Sequence, residues 1–81
     1  MDDYSIEYYL NGKRVGQSFE LRAEWPALMK ALNMRRERKK IPSVFGKTEW
    51  NSVNIWVWIN DEKVLIKEDM QTFDEVDEIV C

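Results

Sequence analysis

The first segment of the chain alternates apolar and mostly polar residues with a period of two. The apolar positions are Tyr4, Ile6, Tyr8 and Leu10. This alternation is typical of a half-buried β-strand. Asn11-Gly12 follows directly, and this dipeptide supplies the two residues with positive φ that a type I′ turn requires. The pattern therefore predicts a β-hairpin at the start of the chain.

A two-residue turn also predicts the register of this hairpin. It pairs Leu10 with Lys13, Tyr8 with Val15, and Tyr4 with Phe19, so that Tyr4, Tyr8, Val15 and Phe19 share one face. Gln17 is then the one polar residue on that face, opposite Ile6. Gly16 indicates a bulge or a sheet edge in the second strand.

Apolar residues then recur at helical spacing. The stripe consists of Trp25, Leu28, Met29 and Leu32, which predicts an amphipathic helix from about Trp25 to Lys39. Pro26 is tolerated in the first turn of a helix and places its start. Ile41-Pro42 ends the helix, and residues 43–51 are expected to form a loop.

A second hairpin is predicted from Ser52 to Ile59 and from Lys63 to Lys67, with a turn at Asp61-Glu62. One face would carry Val53, Ile55, Val57, Ile59, Val64 and Ile66, and the other Trp56, Trp58 and Leu65. Both faces are apolar. An antiparallel sheet with helices on one side needs only one apolar face, so the second one requires another cover.

The chain ends in a capping-box pattern, Thr72 to Glu75, followed by an apolar stripe. Phe73, Val76, Ile79 and Val80 form the stripe, which predicts a short acidic helix. The element order is ββαββα. We predict a single α+β domain over residues 1–81, with a four-stranded antiparallel sheet of two hairpins, one long helix and one short helix.

Composition disfavours catalysis, metal binding and a membrane location. The chain has no histidine and one cysteine, Cys81, so it offers neither a Cys/His zinc set nor an internal disulfide. It also has no histidine base beside a nucleophile and no glycine-rich phosphate loop. The longest nearly apolar run, Val53 to Ile59, is too short to cross a bilayer. We expect a cytoplasmic, non-enzymatic protein without metal or cofactor.

The tryptophans suggest a binding surface. Trp56 and Trp58 share a face with Leu65, and tryptophan is favoured at interface hot spots. We take this face, together with Trp50, as a candidate surface for a partner protein or for a second copy. The alternative is that the short helix, or the loop that carries Phe45 and Trp50, covers the face within the same chain.

Charge is segregated along the sequence. Residues 13–47 contain ten basic and three acidic residues, a balance of +7, whereas residues 60–81 contain two basic and eight acidic residues, a balance of −6. Asp74 and Asp77 are candidates for contact with a basic protein. The basic cluster consists of Arg35, Arg36, Arg38, Lys39 and Lys40 and could contact nucleic-acid phosphates. The net charge of −3 disfavours general nucleic-acid affinity.

These observations predict a small protein-binding module. Small size and the lack of catalytic residues suit an inhibitor or adaptor, for instance one encoded by a phage or mobile element and directed against a host nucleic-acid enzyme. That last step rests on size alone and on no particular residue. The alternative function is a nucleic-acid-binding regulator that uses the basic end of the first helix.

Overall fold

The computed structural model describes residues 1–42 and 48–71. They form β1 (Asp2–Leu10), β2 (Lys13–Ala23), α1 (Trp25–Glu37), β3 (Ser52–Ile59) and β4 (Glu62–Met70). The four strands make one antiparallel sheet in the order β2-β1-β3-β4. The mixed α+β architecture is as predicted. The predicted short helix falls on residues 72–81, which lie outside the described residues.

The core lies on one face of the sheet, above its two central strands. Three residues of β1 are directly opposite three of β3, in the pairs Tyr4–Val57, Ile6–Ile55 and Tyr8–Val53. All six side chains are buried, and Leu28, Met29 and Leu32 of α1 belong to the same cluster. Burying a large apolar side chain stabilises a fold by about 1.5–3 kcal/mol. The predicted helix stripe therefore contacts the predicted buried strand positions, and this contact anchors α1.

Helix α1 ends at Glu37, two residues before the predicted end. Lys39 adopts a left-handed backbone with φ of 52°. The amide of Lys39 donates to the carbonyl of Arg36, and the amide of Lys40 donates to the carbonyl of Arg35. This pair of hydrogen bonds is a Schellman motif, which satisfies carbonyls at a helix C-terminus and reverses the chain. Ile41, which follows, is fully buried.

The predicted register of the first hairpin is correct only beside the turn. Leu10 pairs with Lys13 as expected, but a bulge between Tyr8 and Tyr9 changes the pairing beyond it. The observed pairs are Tyr8–Gly16, Ile6–Ser18, Ser5–Phe19 and Tyr4–Glu20. The predicted pairs Tyr8–Val15 and Tyr4–Phe19 are therefore wrong. A one-residue shift moves every later side chain of β2 to the other face, so Phe19 lies on the side away from α1.

Polar bonding on the core side accounts for the shifted register. The shift brings Ser18 to the core face, where its Oγ lies 2.7 Å from the buried hydroxyl of Tyr8. It also brings Glu20 to this side, where it forms an ion pair with Arg35 of α1. In the predicted register Phe19 would occupy this side, and the Tyr8 hydroxyl would lack the Ser18 partner. The hydroxyl would keep Arg35 as a partner, so the observed register adds one hydrogen bond, which stabilises by about 0.5–1.5 kcal/mol.

The second hairpin turns one residue earlier than predicted, at Asn60-Asp61, whose φ angles are 51° and 66°. The resulting pairs include Ile59–Glu62 and Trp56–Leu65. Moving a two-residue turn by one position shifts the pairing by two residues, so Val64 and Leu65 keep their predicted faces. A bulge after Leu65 then sets Lys67 opposite Ile55 and leaves Ile66 without a paired residue on β3. Strand β4 continues past the predicted end to Met70, which is buried.

Within residues 1–42 and 48–71, no helix is both long enough and apolar enough to span a lipid bilayer.

Candidate binding surface on the open face of the sheet

The sheet has a second apolar surface on the side away from α1, which we call the open face. Its central row crosses all four strands, with Phe19 on β2, Ser5 on β1, Trp56 on β3 and Leu65 on β4. The next row places Asp3 beside Trp58, and Trp58 beside Lys63. Leu21 lies two residues beyond Phe19, next to a second bulge of β2, and also lines a cleft with Ala27 and Leu28 of α1. The predicted grouping of Trp56, Trp58 and Leu65 is therefore present, with two further apolar residues from β2.

Three large side chains of this face are open to solvent. Phe19 is 61% exposed, Leu21 is 70% exposed and Trp58 is 40% exposed. Among the described residues the one helix packs on the opposite side, against the buried cluster. Soluble monomers rarely leave aromatic and aliphatic side chains exposed together in one patch unless the patch has a function. The open face is accordingly the candidate site.

Trp56 differs from Trp58 because its own sheet holds it. Its indole Nε1 donates to Glu7 Oε1 at 2.6 Å, and the ammonium of Lys63 lies 4.7 Å from the centre of its ring. The hydrogen bond directs the indole across β1, where Ser5 is fully buried. Hydrogen bonds to charged groups stabilise by about 1.5–3 kcal/mol. Trp56 is thus held in place by contacts within the sheet, whereas Trp58 is 40% exposed.

The carboxylate of Glu7 is also neutralised from the other side. Its Oε2 lies 3.4 Å from Arg14 Nη1, and Arg14 also donates to Gln17. Gln17 in turn donates to the hydroxyl of Ser5. These contacts link β1, β2 and β3 beside the exposed apolar residues.

Trp50, which we included in the candidate surface, does not belong to it. It is 4% exposed and packs edge-on against Tyr8, with ring centres 4.9 Å apart and planes at 75°. Its Nε1 donates to the carbonyl of Lys40. Trp50 lies on the core side because of how the chain enters β3. The amide of the next residue, Asn51, donates to the Tyr9 carbonyl of β1. Trp50 is a core residue.

The basic cluster at the end of α1 is divided among internal partners. Arg35 pairs with Glu20 and donates to the Tyr8 hydroxyl at 2.9 Å. Arg36 donates to the Gln71 carbonyl and to Asn33. Lys39 forms an ion pair with Glu49 at 2.7 Å. Those partners compete with phosphate for three of the five predicted cations.

The remaining two cations, Arg38 and Lys40, line a cleft of about 420 Å³ together with Met34 and Pro42. Ala31 and Arg35 complete its described lining. The cleft lies at the C-terminal end of α1, on the opposite side of the sheet from Trp58. The basic and aromatic candidates of the sequence are therefore not parts of one site.

Two pKa shifts mark the polar edge of the core. Burial raises the pKa of the Tyr8 phenol above its usual 10.0, although the bond with Ser18 and the charge of Arg35 oppose the increase. Burial acts to lower the pKa of Arg35, but Tyr8 and Glu20 outweigh it, so the net shift is upward. The Tyr8 phenol stays neutral and the Arg35 guanidinium stays charged at neutral pH, as a structural bond requires.

The half-buried carboxylates among the described residues are paired with arginines. Glu7 and Glu20 are the half-buried ones that pair with arginines, whereas a catalytic acid would be expected as an unpaired carboxylate in a cleft. No group of three or more Cys, Asp or Glu residues is placed to hold a metal ion in residues 1–42 and 48–71. Asp74 and Asp77, predicted to contact a basic protein, lie outside the described residues.

The sequence did not predict that Phe19 and Leu21 belong to the candidate surface. The one available signal was Gly16, which indicated a bulge but not its position.

Comparison with protein-family models, with curated proteins and with solved structures gave no match to this chain.

Proposed function

We propose that the chain is a non-enzymatic protein-binding module whose binding surface is the open face. The single observation that carries the proposal is the joint exposure of Phe19, Leu21 and Trp58 on a face that the described helix leaves uncovered. Interface cores are enriched in aromatic residues, and a few of these supply most of the binding energy.

The internal contacts of the face support the same function. Glu7, Arg14 and Trp56 are already bonded to one another, so a partner would not have to strip water from an unpaired charge at that point. A rigid surface loses little conformational freedom on binding, which favours affinity. A protein that binds a partner and catalyses no reaction would serve as an inhibitor or an adaptor. We place its action in the cytoplasm, where a lone thiol such as Cys81 stays reduced.

We also propose that residues 72–81 form the predicted short acidic helix. The chain leaves β4 through Gln71, whose carbonyl accepts a hydrogen bond from Arg36.

Site-specific photo-crosslinking tests the binding function. The photoreactive residue p-benzoylphenylalanine would replace Phe19, with replacement of Lys30 as the control, since Lys30 is exposed on α1 and does not line the cleft beside Arg38. After irradiation in nuclease-treated cell extract, we expect position 19 and not position 30 to crosslink to protein, either another copy or a different chain. Equal crosslinking at both positions, or none at position 19, would reject the proposal.

A nucleic-acid-binding regulator is the second candidate, and the cleft beside Arg38 and Lys40 is the observation that favours it. Phosphate contacts by lysine and arginine weaken steeply as salt rises. If this function is correct, the double substitution Arg38→Glu and Lys40→Glu should abolish retention on single-stranded RNA or DNA, while Phe19→Ser should not. Equal retention of both variants would reject it.

A further inference from the structure

We infer that residues 72–81, which we call the C-terminal segment, pack as a helix in a groove between α1 and the edge strand β4, on the same side of the sheet as α1. The inference rests on the helix proposed for this segment. It goes beyond the binding function because it names the surface that the segment covers. A segment in this groove leaves the open face available to a partner.

The cover that α1 gives to the sheet ends between β3 and β4. Val57 on β3 is 5% exposed, whereas Val64, its direct partner on β4, is 40% exposed. Directly paired residues of neighbouring strands point to the same side of a sheet, so Val64 continues the floor of the core beyond α1. Ile59 shares this side with Val57 and is 50% exposed. The groove therefore has an apolar floor that the described helix does not cover.

The path of the chain leads into this groove. Met70, the last residue of β4, is buried opposite Val53 on the α1 side. The carbonyl of the next residue, Gln71, accepts a hydrogen bond from Arg36 Nη1 at 3.0 Å. Because Arg36 is in the last turn of α1, the C-terminal segment starts beside the C-terminal end of that helix. To reach the open face it would have to pass around the edge of β4.

The length of the segment matches the length of the groove. The pairs Val53–Met70 and Val57–Val64 are separated by four residues of β3, which span about 13 Å. A helix of ten residues is about 15 Å long. A helix that starts after Gln71 and runs back along β4, antiparallel to α1, therefore ends over Val64.

The width of the sheet also leaves room for a second helix. Packed helices lie about 8–10 Å apart, and this distance equals two strand spacings of about 4.8 Å. One helix over the central strands and a second over β3 and β4 are therefore neighbours at the usual distance.

The apolar stripe of the segment is suited to this floor. Successive residues of an α-helix are about 100° apart around its axis. Phe73, Val76 and Val80 then fall within an arc of about 60°. The remaining circumference carries the acidic residues Asp74, Glu75, Asp77 and Glu78.

The charges on the two sides of the groove are complementary to the segment. Arg36 is on the α1 side wall. Lys67 pairs with the fully buried Ile55, so it lies on β4 on the same side of the sheet as α1. Residues 72–81 contain four acidic residues and no basic residue. Cations thus flank the groove in which an acidic helix would lie.

Disulfide trapping in the full-length chain tests the inference, with Cys81→Ser removing the native thiol. Val80→Cys is combined either with Val64→Cys, on the α1 side, or with Leu65→Cys, the adjacent residue on the open face. Under mild oxidation we expect the pair at positions 64 and 80 to close at least about tenfold faster than the pair at positions 65 and 80, because the second pair lies on opposite sides of the sheet. Mass spectrometry of the unreduced monomer measures both rates.

The control pair also separates this inference from the binding function. If positions 65 and 80 close faster, the segment covers the open face, and both proposals are overturned. If the two pairs close at equal rates, the inference alone is overturned, and crosslinking at position 19 still decides the binding function.

Thermal melts test the same packing without introduced cysteines. Val80→Asp would place a carboxylate against the apolar floor, so it should lower the melting temperature by at least about 4 °C. Glu78→Gln, on the opposite side of the helix from the stripe, should leave the melting temperature nearly unchanged. An unchanged melting temperature for Val80→Asp would overturn the inference.

Discussion

The two faces of the sheet come from the same strands and the same alternation, yet they have different fates. On the α1 side Ile6, Tyr8 and Ile55 are fully buried. One residue further along the same strands lie the positions of the open face, where Trp58 is exposed. Apolar character alone does not distinguish the two faces. The difference is that α1 packs on the centre of one face, whereas no described helix packs on the other.

The faces also differ at the β2 edge of the sheet. There the buried face carries polar residues and the open face carries an apolar one, the reverse of the usual distribution. The buried face ends in polar groups, namely Ser18 and Glu20, which bond to Tyr8 and Arg35. The open face ends in apolar Phe19. A single bulge produces both outcomes, because it exchanges the two faces of β2 beyond Gly16. The β2 edge of the buried face gains hydrogen bonds, and the β2 edge of the open face gains exposed apolar surface.

The largest expected difference in the free energy of unfolding is between two leucine-to-alanine substitutions, one on α1 and one on the open face. Leu32→Ala, at a fully buried position of α1, should lower the free energy of unfolding by about 2–5 kcal/mol. Leu21→Ala, on the open face, should change it by less than about 0.5 kcal/mol. Urea denaturation of both variants measures the difference. A loss above about 2 kcal/mol for Leu21→Ala would show that the open face is internally covered.

How far the sequence predicts this architecture can be judged from its turns. Asn11-Gly12 predicted the first hairpin and its closing pair, and the parity of Val57 and Trp58 predicted the faces of β3. Parity survived the misplaced second turn because a shift by two residues preserves it. The position of the bulge in the first hairpin could not be predicted from the alternation of residues in this way. Its position depends on the Tyr8–Ser18 bond, a contact between residues ten apart on different strands.

The candidate site was less predictable than the fold for a related reason. Trp50 stands between Glu49 and Asn51 and Trp58 between Val57 and Ile59, yet it is Trp50 that packs against Tyr8 in the core. Which indole is buried depends on where the chain after α1 returns to the sheet, and the Schellman motif at Lys39 helps to set that path. Likewise, the sequence could count five cations but could not show that Glu20 and Glu49 pair with two of them.

An intermediate effect should separate the two indoles of the open face. Trp56→Ala removes a hydrogen bond to Glu7 and leaves that carboxylate half-buried beside an empty space, so it should destabilise the fold more than Trp58→Ala, by at least about 1 kcal/mol. Trp58→Ala should stay folded and bind its partner at least about tenfold more weakly. Circular-dichroism melts and sedimentation measure the two effects.

Trp58→Phe is the matched control, since it keeps an aromatic ring at the same position and should retain most of the binding. If Trp58→Ala unfolds while Trp56→Ala does not, the assignment of supporting and partner-facing indoles is reversed.

The smallest effect concerns the turn from which the β1–β2 register begins. Gly12 has φ of 84°, and a Cβ built there meets no atom within 4 Å. Gly12→Val should therefore cost only the backbone strain of a β-branched residue at positive φ, about 1–2 kcal/mol. The second hairpin provides the reverse experiment, because Asp61 has φ of 66° without being glycine. Asp61→Gly should relieve strain and raise the melting temperature. If Gly12→Val left the melting temperature unchanged, the type I′ turn would not set the register that precedes the bulge, and the placement of Phe19 on the open face would need another cause.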